Sequence, residues 1–556
     1  MATYELNGAL FADMVRGGTG NLRANARIVN DLNVFPIPDG DTGDNMSLTM
    51  EGGDAALQGI ASESLSYIAD KLAGGMLLGA RGNSGVILSQ LFAGIAKGLA
   101  GTERADAALL GKAFQSGVKQ AYEAVVTPTE GTILTVAREA TEYAVSKITP
   151  ESTLEDFFSA FIKEMHRSLA HTPELLPILK ESGVIDSGGA GLVYIIEGMN
   201  KILHGERIEG AAVPASAAPS PDLSAFTADS EMQFGYCTEF LLQLQNSKVD
   251  TAAFSPTTLI EALTALGGTS IVAVKNGTVL KVHVHTMTPG KVLELAQSYG
   301  EFLTLKVENM ALQHSESKVE KRFSPAPAQS TQATPRKAFG VVAVATGEGI
   351  KETFSSLGAD VIVEGGQTMN PSSEDFLLAF DAVNADTVFV LPNNSNIVLT
   401  ARQAASLYQS SDVRVLDAKT VGDGYAALTM LNFESGDADI IEAELNEAMC
   451  GVVTGMVTRS VRDSHLGGLE IAKDEYIGLA GKELLSHAAT PADAACSLLG
   501  ALDMQSKEVL IALCGKDATP ADMDALRTYV RQHLPRVELF EIDGGQDIYP
   551  FILVIE

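Results

Sequence analysis

The stretch Asn33–Met46, NVFPIPDGDTGDNM, places Asp39, Asp41 and Asp44 close together among two prolines and two glycines. Carboxylates this near one another repel unless something positive lies between them. Asp39 and Asp41 alternate across the rigid PDGD turn, so both can face one hard cation, and Asn33 or Asp44 can add an oxygen. Mg²⁺ suits such a loop, because it takes one or two carboxylates and completes its shell with water and phosphate oxygens. The loop is expected to enter a helix at about Asn45, whose first N–H groups attract anions. The plainer alternative is a turn with acidic caps, since Asp-Gly is ordinary turn chemistry.

Three further loops share the character of the first. LLGARGNSGVILSQ (Leu77–Gln90) surrounds Ser84 with Gly79, Gly82 and Gly85 and then runs into an apolar helix. Glycines let backbone amides approach a phosphate, and Ser84 can add a hydroxyl. No Gly-Lys-Ser/Thr follows, so this is not a Walker loop. TPTEGTILTVARE (Thr127–Glu139) puts Thr132 at a helix start, and GVIDSGGAGLVYI (Gly183–Ile195) carries Asp186 and Gly188. Four polar or glycine-rich loops at helix ends, converging at one end of a bundle, would make a nucleotide site without a Rossmann sheet.

Composition bounds what surrounds these loops. The chain has 556 residues, 46% of them hydrophobic, and a net charge of −31. That length is too great for one core. The charge argues against a nucleic-acid or anionic-membrane binder. Cys237, Cys450, Cys496 and Cys514 are scattered without paired spacing, which points away from a disulfide framework and towards the cytoplasm. The opening MATYELNGALFADM lacks a signal-peptide layout, and no apolar run is long enough to predict a membrane span.

Two Pro/Ala/Ser-rich stretches, 209–230 and 323–338, read as linkers between three blocks. Block 1–208 has Ala/Leu-rich segments at helical spacing, such as Ala105–Val125 and Thr153–Thr172. The second opens with a cap signal at Thr153 and Asp156. It predicts an all-α bundle. Block 231–322 holds TSIVAVKNGTVLKVHVHT (Thr269–Thr286), two strands around an Asn-Gly turn between helix-like stretches, and predicts an α+β domain. Block 339–556 alternates strands such as FGVVAVAT, ADTVFVLP and VRVLDAKT with helical patterns, and predicts an α/β domain with a largely parallel sheet.

Taken in order, NVFPIPDGDTGDNM, ARGNSGVILSQ, EGTILTV and DSGGAGL resemble the nucleotide-binding domain of dihydroxyacetone kinases. More closely still, they resemble the catalytic, ATP-binding component of bacterial fatty acid kinases. GYCTEF and KVHVHT are similar to that family's middle domain, and GGQTMNPS (Gly365–Ser372), LPNNSNI (Leu391–Ile397) and GGQDIYPFILVIE to its last domain. The resemblance covers nearly the whole chain. It implies a helical-barrel kinase domain and a C-terminal α/β domain like the fatty-acid carrier fold. It also implies ATP and Mg²⁺ as cofactors, with Asp39 and Asp41 on the metal, Asn33 and Asp44 beside it, and Asn45, Ser84, Gly85, Thr132, Asp186 and Gly188 in the ATP-contacting loops. The implied activity is phosphorylation of a fatty acid, held by a separate carrier protein, to an acyl-phosphate for phospholipid synthesis. A dihydroxyacetone-type small-molecule kinase and a nucleotide-sensing scaffold are the alternatives, and a homodimer is left open.

The middle block carries a second constellation. His283 and His285 alternate on one strand, and Cys237 is the cysteine of that block. Two imidazoles and a thiolate suit Zn²⁺, with Glu239 or His314 as further candidates. Direct catalysis by the trio, or an ordinary strand carrying two histidines, are the other readings. The GGQTMNPS and LPNNSN loops are expected to serve docking or regulation, with turn and cap roles as the plainer option.

Overall fold

The computed structural model describes residues 3–33, 40–60, 62–206, 336–366, 369–460, 464–466, 469–481 and 483–556. Within 236–309 it describes all but 252–253, 255–258, 260–261, 264–265, 267–268 and 277. The linker 209–230 therefore lies outside the described residues, as does most of 323–338. The chain divides into two compact units, Met1–Ala212 together with Thr331–Glu556, and Val213–Ser330.

The first part of the larger unit is helical: α1 (Gly8–Asp31), α2 (Thr42–Ala56), α3 (Leu65–Gly79), α4 (Gly82–Gly98), α5 (Ala107–Glu123), α6 (Ile133–Lys147), α7 (Leu154–Leu175), α8 (Pro177–Ser182) and α9 (Ser187–Leu203). Thr153 and Asp156 form the expected capping box at α7. Asp106 caps α5 by accepting from Leu109 N. One core runs through the bundle, with Phe114, Phe157, Phe158 and Phe161 meeting largely edge to face. Small residues allow close crossings. A Cβ on Gly198 of α9 would stand 2.4 Å from the Gly17 carbonyl of α1, so a side chain there would push the two helices apart.

The second part of the larger unit contains two sheets. Strands β5 (Lys337–Ala345), β6 (Val361–Glu364), β7 (Ala385–Leu391) and β8 (Asp412–Val415) form a parallel sheet in the order β6-β5-β7-β8. Val341, Ala343 and Ala345 of β5 bury one face while Val342 and Val344 bury the other, as a strand covered by helices on both sides requires. Beyond β9 (Val453–Arg459), a short pair β10 (Ser464–Leu466) and β11 (Leu469–Ile471) stands by itself, and the last strand is β16 (Phe551–Ile555). The second sheet has the order β13-β12-β9-β16-β14-β15, and here the expectation of a largely parallel sheet is corrected. Among its described pairs only β14 (Val509–Cys514) with β15 (Glu538–Asp543) is parallel. The reason is local: β12 (Tyr476–Ala480) turns back into β13 (Glu483–Ala488) through Gly481 at φ +60°, too short a connection for a parallel crossover. After β8 the strand–helix–strand unit that gives parallel pairing returns at β14 and β15, which the helix Pro520–His533 connects.

Helical and α/β parts join through polar contacts. Ser373 N donates to Ala80 O (3.2 Å), Arg81 Nη1 to Asn370 O (2.8 Å), Gln403 Nε2 to Leu77 O (2.8 Å) and Gln90 Nε2 to Gln403 Oε1 (2.8 Å).

In the smaller unit, β1 (Tyr236–Leu244), β2 (Thr269–Asn276), β3 (Val279–Thr286) and β4 (Gly300–Asn309) form an antiparallel sheet, β2-β3-β1-β4. Phe240, Leu242, Val282 and Val284 pack with Leu259, Leu263, Val292 and Ala296. The α+β expectation holds.

Candidate functional site

Four helix starts build the site. The first, α2, begins at Thr42, earlier than expected, because α1 supplies its cap. Asn30 Oδ1 accepts from Gly43 N (2.7 Å) and Asp44 N (3.3 Å), while Asn45 N already bonds Asp41 O (2.8 Å). Next, α4 follows Arg81 and starts on Gly82 at φ +56°, where a Cβ would stand 2.7 Å from Asn45 Nδ2. Glycine thus seats α4 directly on the first turn of α2. Thr132 precedes α6 and Asp186 precedes α9. The side chains of Asp41, Arg81 and Thr132 make no capping bond to their own helices, whereas Asp186 accepts from Gly189 N at 2.6 Å.

All four starts face one cavity of about 520 Å³. Asn33, Asp41, Asn45, Ser84, Thr132, Asp186 and Gly188 line it together, so most of the sequence-derived candidates converge. Helix N-termini carry partial positive charge and N–H donors, and four of them around one space favour a polyanion. Carboxylate oxygens of Asp41 and carboxamide oxygens of Asn33 and Asn45 offer the hard donors that a Mg²⁺ ion shared with phosphate takes, so the residues present fit that ion.

Asp186 is held at this wall by its cap bond and by Thr172, whose Oγ1 accepts from Asp186 N at 3.1 Å. Burial raises its carboxyl to about 6, against the lowering pull of the Gly189 and Ile133 backbone N–H groups. Close to neutrality it exchanges a proton easily, and a bound cation would favour its charged form.

Some candidates lie elsewhere. Asp44 is exposed and does not line the cavity; its Oδ2 accepts from Asn30 Nδ2 at 2.9 Å. Gly85 is buried against Thr49, where a Cβ would stand 2.3 Å from Oγ1, which makes it a packing residue of α2 and α4. Asp39 and His314 fall outside the described residues, as do the side chains of Cys237, Glu239, His283 and His285. The backbone register sets Cys237 opposite His285 and Glu239 opposite His283 across β1 and β3. Among the described residues no cluster of three or more His, Cys, Asp or Glu is arranged to hold a metal.

The far wall of the cavity comes from the α/β part: Thr346, Gly365, Gly366, Asn393 to Asn396, Lys419, Thr420 and Gln546, over the apolar Val344, Ile350, Met456 and Ile552. GGQTMNPS and LPNNSN thus flank the site itself. Asn393 sits at φ +56° with Nδ2 donating to Val344 O (2.8 Å), and Asn394 Oδ1 accepts from Asn396 N (2.8 Å). The helix that follows, Val398–Leu407, has Ile397 at its N-cap with no side-chain capping bond, so the two asparagines shape a turn and do not make the helix cap expected of them. Thr420 forms a capping box with Asp423 at the start of the helix Val421–Thr429, a local signal like that of Thr153 and Asp156, whereas Lys419 carries none of its own. They follow β8 in an ordinary strand-to-helix loop, and only the packing of the two parts brings them to the helix starts.

Comparison with known proteins decides the family. Residues 36–201 match the DAK2 domain, residues 233–317 the middle domain of the FakA-like fatty acid kinases, and residues 340–556 the FakA-like C-terminal domain. Protein YloV of Bacillus subtilis (strain 168) is 39% identical over 562 residues, covering 100% of both chains. The chain belongs to the FakA-like fatty acid kinase family. An uncharacterized protein of Staphylococcus aureus (strain USA300) is 37% identical over 558 residues, covering 99% of this chain and 100% of its own. Among solved structures, the dihydroxyacetone kinase from C. freundii in complex with AMP-PNP and Mg²⁺ aligns with 35% of this chain and 34% of its own, at 18% identity and TM-score 0.29. DegV, a fatty acid binding protein from Bacillus subtilis, aligns with 39% of this chain and 98% of its own, at 13% identity and TM-score 0.30. This family architecture is that of a phosphotransferase. Its DAK2 and C-terminal domains each supply one wall of the cavity. Among the described residues no helix is long and apolar enough to cross a membrane.

Proposed function

We propose that this chain is an ATP- and Mg²⁺-dependent kinase that phosphorylates the carboxylate of a fatty acid held by a separate carrier protein, releasing acyl-phosphate and ADP. The observation that carries the proposal is the convergence of four helix starts, with Asp41 and Asp186, on one cavity. A fatty acid carboxylate is ionised at neutral pH, so one of its oxygens can attack the terminal phosphorus while the bridging P–O bond to ADP breaks, with no base needed. The obstacle is repulsion between two anions. A bound Mg²⁺ supplies charge neutralisation at the phosphates. Asp41 would hold it, with Asn33, Asn45 and the expected Asp39 beside it. First-turn N–H groups of α4, α6 and α9 would orient the phosphates, α2 adds its dipole because Asn30 already accepts from Gly43 N and Asp44 N, and Lys419 on the facing wall adds a cation. Such positioning and charge stabilisation are most of what phosphoryl transfer requires.

In the middle domain we propose a Zn²⁺ on Cys237, His283 and His285, supported by the pairing of Cys237 with His285 in register.

The test is ADP release by purified chain with Mg-ATP and one of three acceptors: a fatty-acid-loaded carrier from the same cell, dihydroxyacetone, or none. Release with the loaded carrier supports the proposal. Release with dihydroxyacetone moves the acceptor class to small hydroxyl compounds. No release with either leaves a nucleotide-binding scaffold and overturns the kinase reading.

A further inference from the structure

Asn370, just ahead of the helix Ser373–Val383 of the C-terminal domain, touches the helical domain at Asp41. It is 3% exposed. Its Nδ2 donates to Asp41 Oδ2 at 2.5 Å and approaches Asn45 Oδ1 at 3.4 Å. The orientation of the carboxamide follows from chemistry. With the amide turned over, its oxygen would face a carboxylate and a second carbonyl oxygen, three acceptors with no proton among them. The Asn370 Oδ1 atom, turned away, is buried with no hydrogen-bond partner among the described residues. The residue thus leaves one acceptor unsatisfied while presenting its donor to Asp41.

The backbone around it is pinned. Asn370 O accepts from Arg81 Nη1 (2.8 Å), Arg81 pairs in a β-bridge with Ser372, and the Arg81 guanidinium lies 3.8 Å from the half-buried Asp375 carboxylate. Asp41 makes no side-chain bond to the helix that it caps. The Asn370 bond reaches the Asp41 carboxylate from another domain, more than three hundred residues away in sequence.

We infer that Asn370 is a positioning residue for the divalent-cation site: it holds one oxygen of Asp41 so that the other is presented to the metal. The inference rests on Asp41 being a metal ligand, as proposed above. Carboxylate ligands are commonly fixed in this way by an outer hydrogen bond, and loss of such a bond costs roughly 10–100-fold in metal affinity. One consequence is that the C-terminal domain completes the metal site as well as facing it.

The experiment uses the full chain and Mn²⁺ as the probe, followed by its paramagnetic resonance signal in the presence of a non-hydrolysable ATP analogue, so no turnover is needed. Wild type, Asn370→Ala, Asp41→Asn and the double variant are titrated, with a thermal melt establishing that each is folded. Asn370→Ser serves if the alanine variant does not fold, since its short hydroxyl cannot span the gap. The expected result is an affinity about 10-fold or more weaker for Asn370→Ala, and no further loss when that change is added to Asp41→Asn. Equal Mn²⁺ affinity for wild type and Asp41→Asn would reject the underlying metal assignment. A loss in Asp41→Asn with unchanged or tighter binding in Asn370→Ala would overturn the positioning role and make the Asn370 contact a restraint on the site. An equal loss on adding Asn370→Ala to either background would show that it acts without Asp41, and would also overturn the inference.

Discussion

Asp186→Asn should stabilise this protein at neutral pH and do almost nothing at pH 4. The Asp186 carboxyl titrates at about 6 in the fold against a usual 3.8. Between those values the folded chain holds a proton that the unfolded chain has lost. The contribution of the neutral acid is therefore fully present below about pH 4 and is lost as pH rises through 6. At about 1.4 kcal/mol per unit, the shift corresponds to a penalty near 3 kcal/mol for carrying the charge at pH 7. Because the side chain borders an open cavity, water recovers part of this, leaving roughly 1–3 kcal/mol. Asparagine is as good an N-cap as aspartate, so the bond from Gly189 N survives the change. Unfolding midpoints of wild type and variant are to be measured from pH 4 to 7.5 without nucleotide or metal. The two curves should start together, separate between pH 4 and 6, and run parallel above that with the variant higher. A gap that is constant with pH, or a variant less stable at pH 7, would refute the reasoning.

Three shorter predictions follow from other contacts. Asp41→Asn should keep the melting midpoint within a degree or two yet lower Mg²⁺-dependent ADP formation about 100-fold or more; near-normal turnover at limiting Mg²⁺ would remove Asp41 from the metal site. Gly198→Val should destabilise the helical domain by roughly 1–3 kcal/mol, since its Cβ would meet the Gly17 carbonyl at 2.4 Å, and an unchanged midpoint would mean that α1 and α9 can separate at no cost. His285→Ala should reduce the zinc content of untagged protein while leaving ATP binding intact; wild-type protein without stoichiometric zinc contradicts the middle-domain site.

What is legible in the sequence is what lies close along the chain. Thr153 and Asp156 announce α7 because a capping box spans only three residues. Ser84, Thr132 and Asp186 stand out because glycines and polar caps mark helix starts, and helix starts are where phosphate chemistry is done. The start of α2 at Thr42 is poorly marked locally, because Asp41 at its N-cap makes no side-chain capping bond and the acceptor that serves instead, Asn30, sits on the preceding helix beyond the aspartate loop. Asp44 stands in a run of acids that looks like a metal loop, but its carboxylate is engaged by that same Asn30. The place of Lys419 and Thr420 at the cavity and the contact of Asn370 with Asp41 depend on the docking of two distant parts of the chain, for which no local pattern exists. The antiparallel half of the C-terminal domain is likewise hidden, because buried strands of both kinds read as short apolar runs.

The central claim is that the cavity at the starts of α2, α4, α6 and α9 is the nucleotide site. Backbone hydrogen exchange with and without Mg²⁺ and a non-hydrolysable ATP analogue tests it most directly. The account predicts slowed exchange at Thr42–Asn45, Gly82–Gly85, Ile133–Thr135 and Ser187–Gly189 together, with little change in the middle domain. Nucleotide binding that leaves those four segments unprotected would contradict it.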